Sequence, residues 1–488
     1  MLLSDLPAQL FAIAVIFAAG GAVFYAVENQ PDRYARLERI AYCYPLGLSA
    51  LGMPMFILSW LGFHLNVVAI TSLTAGAVLA AKAWRRRPLR QYWVGGVPEP
   101  WKPLTEFEWL LFVIIILCLG ARTVACSLAP LNDWDGIAIW GTKAKVLFYN
   151  TVGTTDYFHK PEYSYSHTPY PLLWPFMYAW VCTVAGKWDD LLMLILNPVN
   201  FITFTVLLYF AIKRYAVRTV ALGITAIATS LPTVMHYVEC AQADVPLMLI
   251  WGSSLFCLFE WMATRRMPSL LLAAFLMGGA MFTKQEGKII FIASVFGAVA
   301  SVIAAAPAGR RKSLLGHIGV YTFLSLVWVL PWLIFQNGIK DYSWDFGGIG
   351  LSTVRWSQIL ALAKTIVANA IVLKNQVDLP KWHILWPLFV LSYAIAPALR
   401  RHPWGCLLLI FVLHAGAVGT VFLASRWTIS LQSMEIAFER FTIVMLPPVW
   451  LILAKAADDS YAQWRTSNAI LEKPAIKGMK NPARMTKL

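Results

Sequence analysis

A helix that crosses a bilayer needs about 20 predominantly apolar residues, and this 488-residue chain carries fourteen candidate runs. They lie at roughly 8–27, 41–62, 65–83, 109–129, 171–185, 191–212, 217–234, 245–263, 268–284, 287–306, 315–335, 382–399, 404–424 and 440–456. Their length and their richness in Leu, Ile, Val and Phe predict helices, because barrel strands read as alternating segments of about ten residues. A soluble core has no use for a chain that is 59% hydrophobic and 13% charged, with mean hydropathy +0.62. The expected fold class is an all-α polytopic membrane protein with about 13–14 apolar helices, and the lipid bilayer is its first partner. Only Asp5 precedes the first run, with no Lys or Arg, so a cleaved signal peptide is not expected there.

The formal net charge of +15 would point to nucleic acid in a soluble protein, but here it reads through the positive-inside rule, and no nucleic-acid partner is expected. The basic clusters are Arg33/Arg36/Arg39, Arg85/Arg86/Arg87/Arg90, Lys213/Arg214/Arg218, Arg265/Arg266, Arg310/Arg311/Lys312, Arg400/Arg401 and the tail Lys473, Lys477, Lys480, Arg484 and Lys487. From 213 onward successive clusters are separated by two runs, so all of them fit a cytoplasmic side, with the N-terminus out and the C-terminus in. An outer stretch at 130–168 then leaves one run too many before Lys213, and the short, Pro-bounded 171–185 is expected to be re-entrant or surface-lying. The seven cysteines are scattered, without CxxC, and read as small hydrophobes. No GxGxxG, Walker, HExxH or zinc pattern occurs.

Ionisable groups at mid-membrane cost about 2.5–3.5 kcal/mol on insertion scales, so where they fall marks function. Here they collect at the outer ends of the runs: Asp133 and Asp135; Glu239 and Asp244; Lys284, Glu286 and Lys288; and Arg426, Glu435, Glu439 and Arg440. Separate loops thus bring acids and bases to one face, which predicts a shared polar chamber.

Four passages carry a family resemblance. They are Trp134-Asp135-Gly136-Ile137-Ala138-Ile139-Trp140 with Lys143 and Lys145; Tyr170-Pro171-Leu172-Leu173; Ala243-Asp244-Val245-Pro246-Leu247; and Thr283-Lys284-Gln285-Glu286-Gly287. Glu439-Arg440 ahead of Leu446-Pro447 adds a fifth. Their order over about 130–450 resembles the C-type (GT-C) integral membrane glycosyltransferases, closest to the bacterial branch of mannosyl- and aminoarabinosyl-transferase-like proteins. One departure is Thr168-Pro169, where members often have an acidic residue before the Tyr-Pro pair. The resemblance implies an N-terminal added module at 1–107 and a catalytic core at 108–456, with outer loops 130–170 and 336–381, the first holding amphipathic helices. A basic cytoplasmic tail follows at 457–488.

What the resemblance implies for activity is inverting transfer of a sugar from a polyprenyl-phosphate carrier to a glycan, lipid or protein acceptor. The reaction would take place at the periplasmic face of a bacterial inner (plasma) membrane. Asp135 is the expected general base, with Asp133 second, and Trp134 and Trp140 offer sugar-stacking walls. Arg440 is the expected phosphate ligand, with Lys143, Lys145 and Lys284 as alternatives, because guanidinium binds phosphate in bidentate fashion. His167, Tyr170, Asp244 and Glu286 would shape the sugar or acceptor pocket. No cofactor is implied, and a divalent metal ion held by Asp133, Asp135 and Asp244 has no support from spacing.

Structural readings stand beside these. Asp135 also reads as a helix cap or a partner of Lys143, Asp133 as a cap or an acid supporting the site from behind, Arg440 as a snorkelling cation paired with Glu439 or Glu435, Lys284 and Glu286 as a turn pair, and Asp244 as an N-cap. His236 and His383 are single, which argues against metal. The functional alternatives are a lipid-linked glycan flippase or transporter using the acids as a proton relay, and a polysaccharide polymerase or ligase. The first expects internal repeats, which the two halves do not show. The second draws on Lys340, Arg355, Lys364, Lys374 and Lys381 in the late loop, where 359–373 predicts a membrane-lying amphipathic helix.

Overall fold

The computed structural model describes residues 3–85, 88, 92–93, 103–128, 131, 133–340, 356–360, 363–364, 384–424 and 431–477. Of these, residues 3, 358, 422, 424, 431–438 and 467–477 are described as backbone alone. Arg86, Arg87, Arg90, Arg355, Lys374, Lys381, His383, Arg426, Lys480, Arg484, Lys487 and the Glu435 side chain therefore lie outside the described residues, as does 359–373 apart from short helical pieces at 359–360 and 363–364.

Among the described residues there is no strand, and each of the fourteen apolar runs forms helix. The helices are α1 (Leu6–Val27), α2 (Arg36–Trp60), α3 (Val67–Arg85), α4 (Glu106–Leu128), α5 (Thr142–Tyr149), α6 (Leu173–Ala185), α7 (Asp190–Met193), α8 (Leu196–Lys213) and α9 (Arg218–Ser230). They continue as α10 (Pro232–Glu239), α11 (Asp244–Thr264), α12 (Met267–Thr283), α13 (Glu286–Ala305), α14 (Ala308–Asn337), α15 (Leu385–Ile395), α16 (Trp404–Ala424) and α17 (Leu431–Lys477). Ten are long and apolar enough to cross a membrane, or eleven if the α9–α10 pair, bent by 57°, is one span. That bend has a local cause: Pro232 opens α10 and holds Leu231 in extended backbone between the two helices.

The remaining runs give the shorter apolar helices α6, α12 and α15. With 13 residues α6 is roughly 20 Å long, well short of a ~30 Å hydrocarbon core. It ends at Gly186, in the left-handed region at φ 71°, and Leu173 through Cys182 are all buried.

The interior is built around α11, whose apolar window is entirely buried among α2, α8, α12, α13 and α17. By contrast α3 and α4 bury only 17% and 11% of their windows and turn apolar faces outward, as helices bathed by lipid do. The α1–α2 contact is backbone-close, since a Cβ on Gly47 would run into the carbonyl oxygen of Ile16. Small residues at such crossings let helices approach where lipid-like apolar packing alone gives little drive.

Charges secure the two ends of α11. Near its C-terminus Glu260 accepts from Arg214 at 3.0 Å, Tyr34 at 3.1 Å and Arg266 at 3.2 Å, while Arg266 also reaches Glu28 at 2.7 Å and Arg214 holds Glu38. Asp244 opens the same helix sixteen residues earlier, roughly 24 Å away. Replacing Gly47 by Val should push α1 off α2 and lower stability by about 1–3 kcal/mol. An unchanged thermal unfolding midpoint in detergent would show that the two backbones are not in contact.

Candidate functional site

At the Asp244 end, five of the residues singled out in the sequence meet in one ionic network. Arg440, near the middle of α17's first half, donates through Nη1 to Asp135 Oδ2, and its Nη2 lies 3.5 Å from Asp244 Oδ2. Lys284 Nζ donates to Asp244 Oδ1 at 2.6 Å and sits 3.4 Å from Glu286 Oε2. Glu286 Oε1 in turn lies 3.0 Å from His414 Nε2 of α16. Asp244, Lys284, Glu286 and His414 are buried, whereas the Asp135 side chain keeps 22% of its exposure. Three carboxylates thus face two fixed cations, with His414 completing the chain.

Local structure explains how each group arrives. Lys284 and Gln285 form the break between α12 and α13, with Lys284 in extended backbone and Glu286 opening the next helix. Asp135 precedes a π-helical turn, Gly136–Gly141, a form frequent at functional sites. Asp133 holds the start of that turn by accepting from the Gly136 N–H and from Gln242 Nε2, both at 2.8 Å. Gly136 is required there, because a Cβ would strike the Cys240 carbonyl oxygen and crowd the Leu131 side chain.

A cavity of about 250 Å³ opens beside the network. Lys284, Gln285, Glu286, His167 and Tyr170 line its polar part, and Ile289, Val418, Val421 and Phe441 its apolar part. The loop wall is fixed in place: Pro169 O accepts from Gln285 Nε2 at 2.8 Å and from Gln336 Nε2 at 2.6 Å, and Lys288 Nζ donates to Gln336 Oε1 at 2.7 Å. His167 stacks on Tyr170 with ring centroids 4.9 Å apart.

Other expected site residues sit elsewhere. Lys143 is wholly buried, donates to the Ser166 carbonyl and lies 5.9 and 5.7 Å from the Trp140 and Tyr170 rings, so it ties the turn to the loop. Lys145 lies over Trp188 at 6.0 Å. Trp140 is buried, and Trp134 is exposed. Asp135 pairs with Arg440 rather than with Lys143, and among the described side chains Arg440 pairs with Asp135 and Asp244 rather than with its neighbour Glu439, the Glu435 side chain lying outside the described residues. Asp244 is the first residue of α11 and its side chain serves the cations instead of capping. Among the described residues no group of three or more His, Cys, Asp or Glu gathers to hold a metal, so Asp133, Asp135 and Asp244 do not form the divalent site considered above. Weighing charges only at the ends of apolar runs misses His414, although a histidine ten residues inside a 21-residue apolar helix is itself a signal.

Two outcomes follow. Asp244→Asn leaves two buried cations short of their shared carboxylate and should lower stability by about 3–5 kcal/mol, while Asp135→Asn, at a partly exposed site, should lower it by about 1–2 kcal/mol; equal losses on unfolding in detergent would contradict the arrangement. Burial also holds the Lys143 ammonium well below its ordinary 10.5, with the Asp135 charge opposing. Unfolding therefore takes up a proton between the lowered folded value and 10.5, and stability gains with rising pH across that window. Wild type should gain on Lys143→Met as pH is raised from neutral to 10.5, and parallel unfolding profiles would contradict this. The chain matches no family model, no curated protein and no solved structure.

Proposed function

We propose that the protein is an integral membrane glycosyltransferase that moves a sugar, with inversion, from a polyprenyl-phosphate carrier to an acceptor at the extracytoplasmic face of a bacterial inner membrane. The observation that carries this reading is the Asp135–Arg440–Asp244–Lys284 network beside a cavity lined by Lys284, Glu286 and His167 together with Ile289, Val418, Val421 and Phe441. Such a cavity suits a phosphate attached to a hydrocarbon chain, and no soluble anion needs the wall of Val418, Val421, Ile289 and Phe441. The positive-inside assignment of the basic clusters favours placing this end outside and the tail in the cytoplasm.

The chemistry follows from which contacts can be exchanged. Arg440 is already bonded to two carboxylates through its Nη atoms, and this reading has an incoming phosphate replace one of them. Asp244 is wholly buried and held by Lys284 as well, whereas Asp135 is the more exposed and is held by Arg440. The phosphate would take the place of Asp135 on the guanidinium, in a charge-assisted and bidentate contact. Lys284 would add a second cation aimed at the charge that develops on the leaving phosphate. Asp135, released, would accept the proton of the acceptor's hydroxyl or amine as that group attacks the anomeric carbon.

The test is sugar transfer from a panel of labelled polyprenyl-phosphate sugars by protein in lipid nanodiscs. Asp135→Asn should lower kcat by about 10²–10⁴-fold with donor binding retained, and Arg440→Ala should weaken donor binding. Undiminished transfer in folded Asp135→Asn removes the base assignment. Tight lipid-phosphate binding with no transfer from any donor would favour the flippase reading, for which the buried Glu286–His414 pair is the candidate relay.

A further inference from the structure

In the ionic network the carboxylates outnumber the fixed cations, since Asp135, Asp244 and Glu286 face Arg440 and Lys284. One carboxylate is therefore in surplus before any phosphate enters. Glu286 is the one its cation holds least closely: Oε2 lies 3.4 Å from Lys284 Nζ, where Asp244 Oδ1 lies at 2.6 Å. Its other oxygen, Oε1, is 3.0 Å from His414 Nε2, and an imidazole N–H there donates to the carboxylate. Glu286 and His414 are both buried. The carboxylate thus rests between two partners, the ammonium two residues before it and the imidazole of α16. An ammonium has three N–H groups, so Lys284, with one short carboxylate contact and one long one, keeps capacity for a further anion. Lys284 and Glu286 both line the cavity. So do Val418 and Val421, which follow His414 in α16 by four and seven residues and share its helix face.

We propose that His414 is a positioning residue for the phosphate site: by donating to Glu286 it draws the surplus carboxylate toward α16 and off Lys284, which leaves the ammonium open to the phosphate of the donor lipid. The inference rests on reading the cavity as a lipid-phosphate site, and not on the transfer step itself. Without the imidazole, Glu286 closes on Lys284, and an incoming phosphate then has to break that ion pair in addition to displacing Asp135 from Arg440. His414 touches no reacting atom; it acts through where it holds Glu286. A structural tie between α13 and α16 is the plainer role for the same contact, and it differs in what it predicts: a loss of stability that is blind to the charge at position 286.

The experiment measures binding of polyprenyl phosphate, without a sugar, to full-length protein in phosphatidylcholine nanodiscs, with thermal unfolding followed in parallel. His414→Leu should weaken the affinity about tenfold, and His414→Gln, whose amide can donate to Glu286, should stay within about twofold of wild type. Combining Glu286→Gln with His414→Leu should restore at least the wild-type affinity, because a neutral amide does not occupy Lys284 as a carboxylate does. With the donor panel, His414→Leu should raise KM while kcat stays within about twofold. Unchanged affinity in folded His414→Leu, or a loss that Glu286→Gln does not relieve, overturns the proposal, as does wild type that binds no polyprenyl phosphate. Where His414→Leu does not fold, Glu286→Gln alone decides: relieved of the surplus charge it should bind at least as tightly as wild type, and weaker binding overturns the proposal. Affinities that follow this order with no sugar transfer from any donor remove the glycosyl-transfer reading and leave the positioning role standing.

Discussion

The site end of this protein depends on one largely buried guanidinium. A charged group withdrawn from water is destabilising unless it is paired and hydrogen-bonded, and Arg440 meets that requirement only by gathering Asp135 from the first loop and Asp244 from the start of α11. Asp244 then recruits Lys284, which reaches Glu286, which reaches His414. Each link satisfies a group that the previous one left needing a partner. The result joins the π turn, α11, the α12–α13 break, α16 and α17 at one level of the bundle.

The same logic operates at the opposite end of α11, where Glu260 draws Arg214, Arg266 and Tyr34 together. In a bilayer the apolar faces of helices gain little by leaving lipid for one another, so apolar packing specifies register weakly and polar contacts and close small-residue crossings specify it strongly. A helix pinned by ion pairs at both ends, with a fully buried window between, cannot slide against its neighbours without breaking one set. Fixed register matters at the site end, where the groups of the network must stay within hydrogen-bond distance of one another.

Much of the fold was legible because hydrophobic length is a direct physical signal: all fourteen runs are helices, and the short one at 171–185 is the helix of 13 residues. The convergence of Asp135, Asp244, Lys284, Glu286 and Arg440 was legible in kind, from acids and bases at the ends of separate runs, but the pairings were not. Arg440 has Glu439 beside it in sequence and bonds instead to a carboxylate 305 residues away, because a helix aims successive side chains about 100° apart while tertiary packing brings distant elements together. Lys143 and Lys145 illustrate the converse. A lysine near a candidate base looks like a phosphate ligand, yet Lys143 is consumed by the Ser166 carbonyl and two aromatic faces, and Lys145 lies against Trp188. Composition identifies the cations; only the packing around them decides which are available.

That distinction also sorts the three aspartates. Asp133 is committed to the Gly136 N–H and the Gln242 amide, contacts that shape the turn and would be broken by any move toward a substrate. Asp244 is committed to two cations in full burial, where giving up either contact forfeits an ion pair in a medium that screens charge poorly. Asp135 combines its guanidinium contact with partial exposure, so it can exchange that partner for another at the smallest energetic penalty. On the glycosyl-transfer reading this gives the network an order of events: a carboxylate oxygen bonded to Arg440 is not free to take the acceptor's proton, and the anion that frees it is the donor's own phosphate. The base becomes available when the donor is seated, which keeps the proton-accepting group occupied while the site is empty.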